Sequence, residues 1–276
     1  MNRFRLLCVQ YLNTVPLIEG LSKLGAIELM SAVPAKIAPS VVGGEADMGL
    51  VSVADALASP ELTLVPVGMI GCDGPTLTVR VFSRVPLERV RVLHADQDSK
   101  TSVLLARVIF AERYGTSVEI RPLDRSAISQ ASGAGWAPEA VLLIGDKVVT
   151  AAPRTEQYPV QLDLGQAWHE LTGLAFVYAA WACRTSDVRS ESVRSISSVL
   201  ERQRLHNATR LPWIVQTRAV EHGWEAELAW HYLGTCLKYE FTERAEQGLR
   251  EFARRASALL GREMVVRLAD QLTPTA

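Results

Sequence analysis

Two clusters of small polar residues stand where the chain is predicted to pass from a strand or loop into a helix. The first is the loop Tyr11–Leu17, which carries Asn13 and Thr14. A helix N-terminus presents free N–H groups and a partial positive charge, so this loop suits a carboxylate or another small anion. Asn and Thr are also favoured N-cap residues, so a purely structural capping role for the pair stays open.

The second cluster begins a helix predicted over Lys100–Tyr114, with Asp98 or Ser99 as its N-cap. Its hydroxyl-bearing residues are Ser99, Thr101 and Ser102. Hydroxyls, backbone N–H groups and the Lys100 ammonium gathered at a helix start suit an anion. The same residues are equally typical of an ordinary helix cap.

Small polar residues also follow several predicted buried strands. They are Ser52, Ser83 and the pair Gly145-Asp146. Ligands of α/β proteins bind in clefts at the carboxyl ends of strands. Each residue is a weak signal alone, but together they predict polar groups from both halves of the chain around one cleft.

Motifs of several enzyme classes are missing. The sequence has no G-x-S-x-G, P-loop or G-x-G-x-x-G motif, which disfavours serine hydrolases, NTPases and dinucleotide enzymes. The four cysteines are far apart and no H-E-x-x-H occurs, so no metal site is expected. We interpret His169, His222 and His231 as helix-surface or packing residues. A small organic anion remains the ligand class that the residues favour.

Composition excludes further classes. The chain has 276 residues, 48% of them hydrophobic, and 29 Lys and Arg against 30 Asp and Glu. Dispersed basic residues argue against a nucleic-acid or membrane-surface partner. The apolar stretch Leu6–Val9 is too short for a secretory signal, and Leu174–Cys183 is too short to span a membrane. We therefore expect a cytoplasmic protein; the sequence specifies no oligomeric state.

Strands alternating with helices in the first two-thirds of the chain predict an α/β fold. The predicted strands include Phe4–Val9, Glu28–Val33, Met48–Ser52, Leu62–Ile70, Leu77–Ser83, Val90–His94, Val118–Pro122, Ala140–Ile144 and Phe176–Cys183; the predicted helices include Leu17–Leu24 and Val53–Ala58. We predict two lobes, residues 1–84 with 180–276 and residues 85–179. The chain would cross near Ser83–Pro86 and return through Phe176–Cys183, leaving a cleft between the lobes.

A helical tail is predicted from Asp187 onward, including a helix capped by Thr242 and ended by Gly261. Its tryptophans, Trp213, Trp224 and Trp230, are interpreted as aromatics that pack between helices.

Six motifs in order resemble those of one enzyme family. They are Tyr11-Leu12-Asn13-Thr14-x-Pro16-Leu17, Gly44–Leu50, Asp73-Gly74-Pro75 with Val81–Leu87, Ser99–Ser102, Leu142–Asp146 and Trp168-x-x-Leu171-Thr172-Gly173-Leu174-x-Phe176-Val177. The chain resembles the chorismate dehydratases of menaquinone biosynthesis, over roughly two-thirds of its length. Three residues depart from the family pattern, Gln10, Cys72 and Lys100, which affects fine substrate contacts more than the reaction class.

The resemblance implies a two-lobed, type II periplasmic-binding-protein fold with a helical tail. It implies dehydration of chorismate to 3-[(1-carboxyvinyl)oxy]benzoate, the first step of the futalosine route, with no metal or organic cofactor. The substrate's own enolpyruvyl carboxylate would take the C3 proton, and Asn13 would act on the leaving hydroxyl. Thr101 and Ser102 would hold a carboxylate, and Ser52 and Ser83 would complete the cleft.

Two other functions remain open for such a fold. One is a non-catalytic protein that binds a small organic anion, and the other is the sister dihydroxynaphthoate synthase of the same pathway. The Tyr-Leu-Asn-Thr motif at Tyr11–Thr14 favours the dehydratase over the sister enzyme.

Overall fold

A computed structural model describes residues 3–96, 99–123 and 138–269. Within these ranges the strands are β1 (Phe4–Cys8), β2 (Ile27–Ser31), β3 (Met48–Ser52), β4 (Leu62–Cys72), β5 (Val79–Ser83), β6 (Val92–Ala95), β7 (Glu119–Pro122), β8 (Ala140–Ile144), β9 (Val160–Asp163), β10 (Phe176–Arg184) and β11 (Leu237–Lys238). The helices are α1 (Val15–Ile18), α2 (Pro34–Val42), α3 (Val53–Ala58), α4 (Lys100–Tyr114), α5 (Lys147–Thr150), α6 (Leu164–Thr172), α7 (Glu191–Thr209), α8 (Leu211–Arg218), α9 (Ala226–His231) and α10 (Glu243–Leu260). No helix in the described part is long and apolar enough to cross a membrane.

The strands form two sheets, and each sheet is the centre of one lobe. The first lobe has the order β11-β4-β10-β3-β1-β2, and the second has the order β7-β6-β8-β5-β9. In the first sheet β1 runs parallel to β2 and β3, whereas β10 is antiparallel to β3 and β4. In the second sheet β6 runs parallel to β7 and β8, whereas β5 is antiparallel to β8 and β9.

The chain changes sheet earlier than predicted. It leaves the first sheet after β4, at the turn Asp73-Gly74-Pro75, and β5 already belongs to the second sheet. A crossing near Ser83–Pro86 is therefore wrong. Gly74 has φ +119°, a conformation that favours glycine, and Pro75 cannot continue a strand ladder, so the strong turn signal here marks the crossing itself. The chain returns through α6, and β10 lies wholly in the first sheet.

One carboxylate holds both crossing segments. Asp163 is the N-cap of α6, where its side chain accepts the N–H groups of Gly165 and Gln166 at 3.0 and 3.1 Å. The same carboxylate accepts the N–H of Thr76 at 3.0 Å and of Leu77 at 2.7 Å. The outgoing and returning connections are therefore fixed at one point.

Most predicted elements form where the patterns placed them. Met48–Ser52 and Ala140–Ile144 have the predicted bounds, because each is a continuous apolar run that is buried on both faces. The predicted helix Leu17–Leu24 is wrong. The helix α1 ends at Ile18 because Glu19, with φ −55° and ψ 125°, leaves the helical conformation and Gly20 has φ +88°.

The C-terminal helices pack on both lobes. In α10, Phe252 lies edge-on to Trp168 and to Phe176, with ring centroids 6.0 and 4.9 Å away. A Cβ on Gly248 would lie 1.9 Å from the Ala175 carbonyl oxygen, so only glycine allows this close approach.

The packing role predicted for the three tail tryptophans is correct for one of them. Trp224 is buried, whereas Trp213 and Trp230 are 38% and 47% exposed. The Arg210 guanidinium lies 4.3 Å from the ring centroid of Trp213 and covers part of it, which makes the partial exposure of that ring less costly.

Candidate functional site

A cleft between the two lobes contains most of the predicted site. It lies at the carboxyl ends of β1, β3 and β8 and at the start of α4. Its polar lining consists of Tyr11, Asn13, Ser52, Thr76, Thr78, Ser99, Ser102, Tyr178 and Tyr232. Apolar side chains such as Val9, Leu50 and Ile144 complete the wall. None of the described lining residues is charged, so the cleft offers neutral dipoles on an apolar wall.

Asn13 lies in this cleft and does not cap a helix. It sits in a tight turn, Leu12–Thr14, shortly after β1, and neither Asn13 nor Thr14 makes a side-chain cap to the following helix. The buried Thr14 hydroxyl instead donates to the Asn13 Oδ1 at 3.2 Å. The capping alternative for this pair is therefore wrong, and Thr14 supports Asn13 without lining the cleft.

Tyr232 contacts Asn13 from the C-terminal tail. Its hydroxyl is 2.6 Å from the Thr78 Oγ1 and lies near the Asn13 side chain in the lining of the cleft. Burial raises the pKa of the Tyr232 phenol, and the neighbouring Thr78 and Asn13 side chains only partly offset this rise. The phenol is therefore protonated at neutral pH and acts as a fixed hydroxyl dipole.

Tyr232, Thr78 and Tyr178 also line the cleft, although they are not among the predicted site residues. Tyr232 lies in a widened helical turn, Tyr232–Cys236, that interrupts the tail beyond α9. Such turns are frequent at functional sites, but no residue pattern in the tail marks this one. Tyr178 lies in β10 within a run of apolar residues, where its phenol is buried and its pKa is raised well above the ordinary value.

The start of α4 forms the second-lobe side of the cleft. Ser99 is the N-cap; its Oγ accepts the Ser102 N–H at 3.2 Å and donates to the Ser102 Oγ at 2.8 Å. Asp98, the other predicted cap, lies outside the described residues. Because a helix start leaves its first N–H groups without intrahelical partners, this end of α4 suits a carboxylate.

Thr101 faces the other lobe instead of the cleft. Its Oγ1 is 2.7 Å from the Ser52 Oγ and accepts the Ala54 N–H at 3.1 Å. Lys100 is paired in the same region, with its Nζ 2.6 Å from the Asp55 Oδ1. Thr101 and Lys100 thus join the two lobes beside the cleft, and Ser52 lines the cleft from the first lobe.

Gly145 lines the cleft, whereas Asp146 does not. Gly145 has φ +61° and lies against the Tyr11 ring, which would be 3.6 Å from a Cβ at this position. The Asp146 carboxylate accepts the Leu12 N–H at 3.3 Å and the Trp224 Nε1–H at 2.9 Å. Asp146 thus bridges the lobes, and this geometry does not support its predicted contact with substrate.

Ser83 does not reach the cleft. It is fully buried at the carboxyl end of β5, where its hydroxyl donates to the Val85 carbonyl at 2.7 Å. Because β5 is antiparallel to β8, the cleft side of β5 is its amino end, at Thr78 and Val79. The prediction treated every strand end as equivalent, which fails for an antiparallel strand.

The residues that depart from the family pattern lie outside the lining, as do the three histidines. Gln10 is exposed, and Cys72 is a buried thiol whose pKa burial raises to about 12. His169 contacts Asp73, His222 contacts Asp146, and His231 is exposed, in line with surface or packing roles.

Among the described residues no group of three or more His, Cys, Asp and Glu side chains is placed to hold a metal ion.

Known proteins share the fold. The alkanesulfonate-binding protein SsuA from Xanthomonas axonopodis pv. citri, bound to MOPS, has a TM-score of 0.66 at 12% identity, over 98% of this chain and 99% of its own. A Candida albicans protein described as having the generic periplasmic binding protein fold has a TM-score of 0.65 at 10% identity, over 95% of this chain and 90% of its own. These likenesses confirm the predicted two-lobed, periplasmic-binding-protein-like fold.

Sequence comparison identifies the family. A chorismate dehydratase of Thermus thermophilus is 27% identical over 260 residues, which cover 88% of this chain and 92% of that protein. The sequence model of the family described as Menaquinone biosynthesis matches residues 4–258. Because this match spans nearly the whole length, the chain belongs to the menaquinone biosynthesis family.

Proposed function

We propose that this protein is a hydro-lyase that converts chorismate to 3-[(1-carboxyvinyl)oxy]benzoate. The observation that carries the proposal is the neutral interlobe cleft, in which Asn13 is hydrogen-bonded to Thr14 and lies beside Tyr232. The family and the relative named chorismate dehydratase support the same reaction. Chorismate carries one carboxylate on a compact ring and a second on its enolpyruvyl side chain, and the cleft combines hydroxyl and amide groups with an apolar wall.

The reaction breaks the C3–H and C4–O bonds and forms the C3–C4 double bond that completes the aromatic ring. The substrate's enolpyruvyl carboxylate takes the C3 proton, and the C4 hydroxyl leaves with the bonding electron pair. Asn13 donates a hydrogen bond from its amide to the departing oxygen, where negative charge develops. The proton and the hydroxide together make the released water, so the step needs no external oxidant or reductant.

The start of α4 holds the other carboxylate in this proposal. Ser99 and Ser102 offer hydroxyls, and the first turn adds N–H groups and the positive end of the dipole of a 15-residue helix. Ser52 supplies a hydroxyl from the opposite lobe. Fixing the substrate at both ends favours the conformation in which its own carboxylate reaches C3.

Cytoplasmic localisation is part of the proposal. All four cysteines are free thiols, and unpaired cysteines are typical of proteins in a reducing compartment.

The test is incubation of the purified protein with chorismate, followed by mass and ultraviolet analysis of the products. We expect loss of one water and the appearance of a 3-substituted benzoate, with heat-inactivated protein as the control. Unchanged chorismate with tight binding of another organic acid would contradict the proposal and favour a binding protein. Turnover of a dehypoxanthinyl futalosine instead would favour the sister synthase.

A further inference from the structure

We propose that Asp146 is a positioning residue that orients Asn13 only when the two lobes are together. The inference deepens the proposed function and rests on it for the role of Asn13. Asp146 follows β8 in the second lobe and makes no side-chain cap to α5. Its carboxylate instead points at the first lobe, where three groups contact it.

The first contact reaches Asn13 through the main chain. Asp146 Oδ2 accepts the N–H of Leu12, the residue before Asn13 in the same tight turn, at 3.3 Å. A charged acceptor makes a stronger hydrogen bond than a neutral one and restricts the turn directly. The position of the Asn13 main chain therefore depends on a residue in the other lobe that lies 134 positions after Leu12.

The second contact reaches Asn13 through its side chain. Asp146 Oδ1 accepts the Trp224 Nε1–H at 2.9 Å, and the Trp224 ring stacks on Tyr232 with centroids 4.8 Å apart and planes 9° apart. The Tyr232 hydroxyl lies beside the Asn13 side chain in the lining of the cleft. His222 adds a third contact, with its Nδ1 3.3 Å from Oδ2. The contacts of the Asp146 carboxylate with Leu12 and with Trp224 therefore both lead to Asn13.

The location of Asp146 fits a positioning role better than a substrate contact. Its side chain is 18% exposed, it does not line the cleft, and both oxygens have partners. A carboxylate aimed at a doubly negative substrate would also repel it. Separating the lobes would break these contacts and release the Asn13 turn, which links the orientation of the amide to lobe closure.

The kinetic test compares wild type, Asp146→Ala and Asp146→Asn in the full chain with chorismate. We expect Asp146→Ala to lower kcat by about 10–100-fold while KM changes by less than about threefold, because misplacing a catalytic group costs rate more than binding. Asp146→Asn keeps an acceptor for the Leu12 N–H and should retain more activity. The control is Glu156→Ala, which removes an exposed carboxylate of the same lobe. A raised KM at unchanged kcat would overturn the proposal and indicate substrate contact.

A double variant separates positioning from general structural damage. In an Asn13→Ala background, Asp146→Ala should reduce the residual rate by less than about threefold, since residues that act through one another are not additive. If Asp146→Ala reduced the catalytic rate by the same factor in the wild-type and Asn13→Ala backgrounds, the proposal would be overturned. If Asp146→Ala fails to fold, Trp224→Phe removes the Nε1–H donor and keeps an aromatic ring at this position. This variant should lower kcat less, and an unchanged kcat would contradict the proposal.

An NMR measurement tests the positioning role of Asp146 without depending on the turnover of chorismate. The side-chain amide resonance of Asn13, assigned by its loss in Asn13→Ala, should shift or broaden in Asp146→Ala and stay unchanged in Glu156→Ala. A resonance unaffected by Asp146→Ala would overturn the positioning role. If wild type leaves chorismate unchanged while this resonance still depends on Asp146, the proposed function fails and the structural coupling stands.

Discussion

The Asn13 turn and the start of α4 are both polar sites on the cleft, but they are held in different ways. Ser99 is fixed by Ser102, three positions further along the same helix. Asn13 is hydrogen-bonded to its neighbour Thr14, lies beside Tyr232 of the tail and is held, through Leu12, by Asp146 of the other lobe. One site is organised by local sequence and the other by the assembled fold.

This difference separates substrate binding at the start of α4 from catalysis at Asn13. The Ser99–Ser102 hydrogen bonds lie within one helix start and do not depend on lobe contact, although Thr101 and Lys100 of the same turn also bond to the first lobe. We therefore expect Ser99 and Ser102 to bind a carboxylate at any stage. The Asn13 turn reaches its full set of hydrogen bonds only with the lobes in contact. Binding at α4 and catalysis at Asn13 should therefore respond differently to substitution.

The largest effect is expected for Asn13→Ala. Loss of one positioned donor at the site of developing charge should lower kcat by about 10²–10³-fold, while KM and the melting temperature change little. Steady-state kinetics and a thermal melt measure these quantities. Gln10→Ala, which removes an exposed amide shortly before the same turn, is the control and should stay near wild type. A near-wild-type rate for Asn13→Ala would remove this residue from the mechanism.

A smaller effect of a different kind is expected for Ser99→Ala. Loss of the N-cap should lower the free energy of unfolding by about 1 kcal/mol. Loss of a substrate hydrogen bond should raise KM about 2–10-fold with little change in kcat. Ser190→Ala removes the equivalent cap of α7, where Ser190 accepts the Val193 N–H at 3.2 Å. This control should lose the same stability at unchanged KM, and an identical kinetic profile for both variants would contradict a binding role for Ser99.

The smallest effect is expected for Thr14→Val, which keeps the side-chain shape and removes the hydroxyl bonded to Asn13. One neutral hydrogen bond contributes about 0.5–1.5 kcal/mol, so kcat should fall about 2–10-fold if Asn13 loses orientation. Thr217→Val removes a hydroxyl bonded to the Trp213 carbonyl and is the control. If Thr14→Val had the kcat of wild type, the Thr14 hydroxyl would not be needed to orient the Asn13 side chain.

The same contrast explains how much of the molecule could be predicted from the sequence. Buried strands such as Met48–Ser52 and capped helices such as Lys100–Tyr114 follow from local patterns, and they form as predicted. The Ser99 cluster lies on the cleft for the same local reason. The motif at Asn13 locates the turn, but it does not reveal what holds the amide.

The wrong or missing site predictions have one physical cause. Strand direction and tertiary contacts depend on the whole fold and cannot be read from a local residue pattern. Ser83 was expected in the cleft because it ends a strand, yet β5 is antiparallel and places that end on the far side. Asp146 was expected at the substrate, yet its partners come from the tail and from Leu12. Tyr232 gave no local signal because only the packing of the tail brings its hydroxyl to Thr78.

The position of Asp163 limits how the lobes can move. Since the outgoing and returning connections are hydrogen-bonded to one side chain, they cannot stretch apart independently. Opening then becomes rotation about an axis near this carboxylate, in which the mouth of the cleft widens most. Thr76 and Thr78, which lie beside that axis, would keep nearly the same place while substrate enters and product leaves.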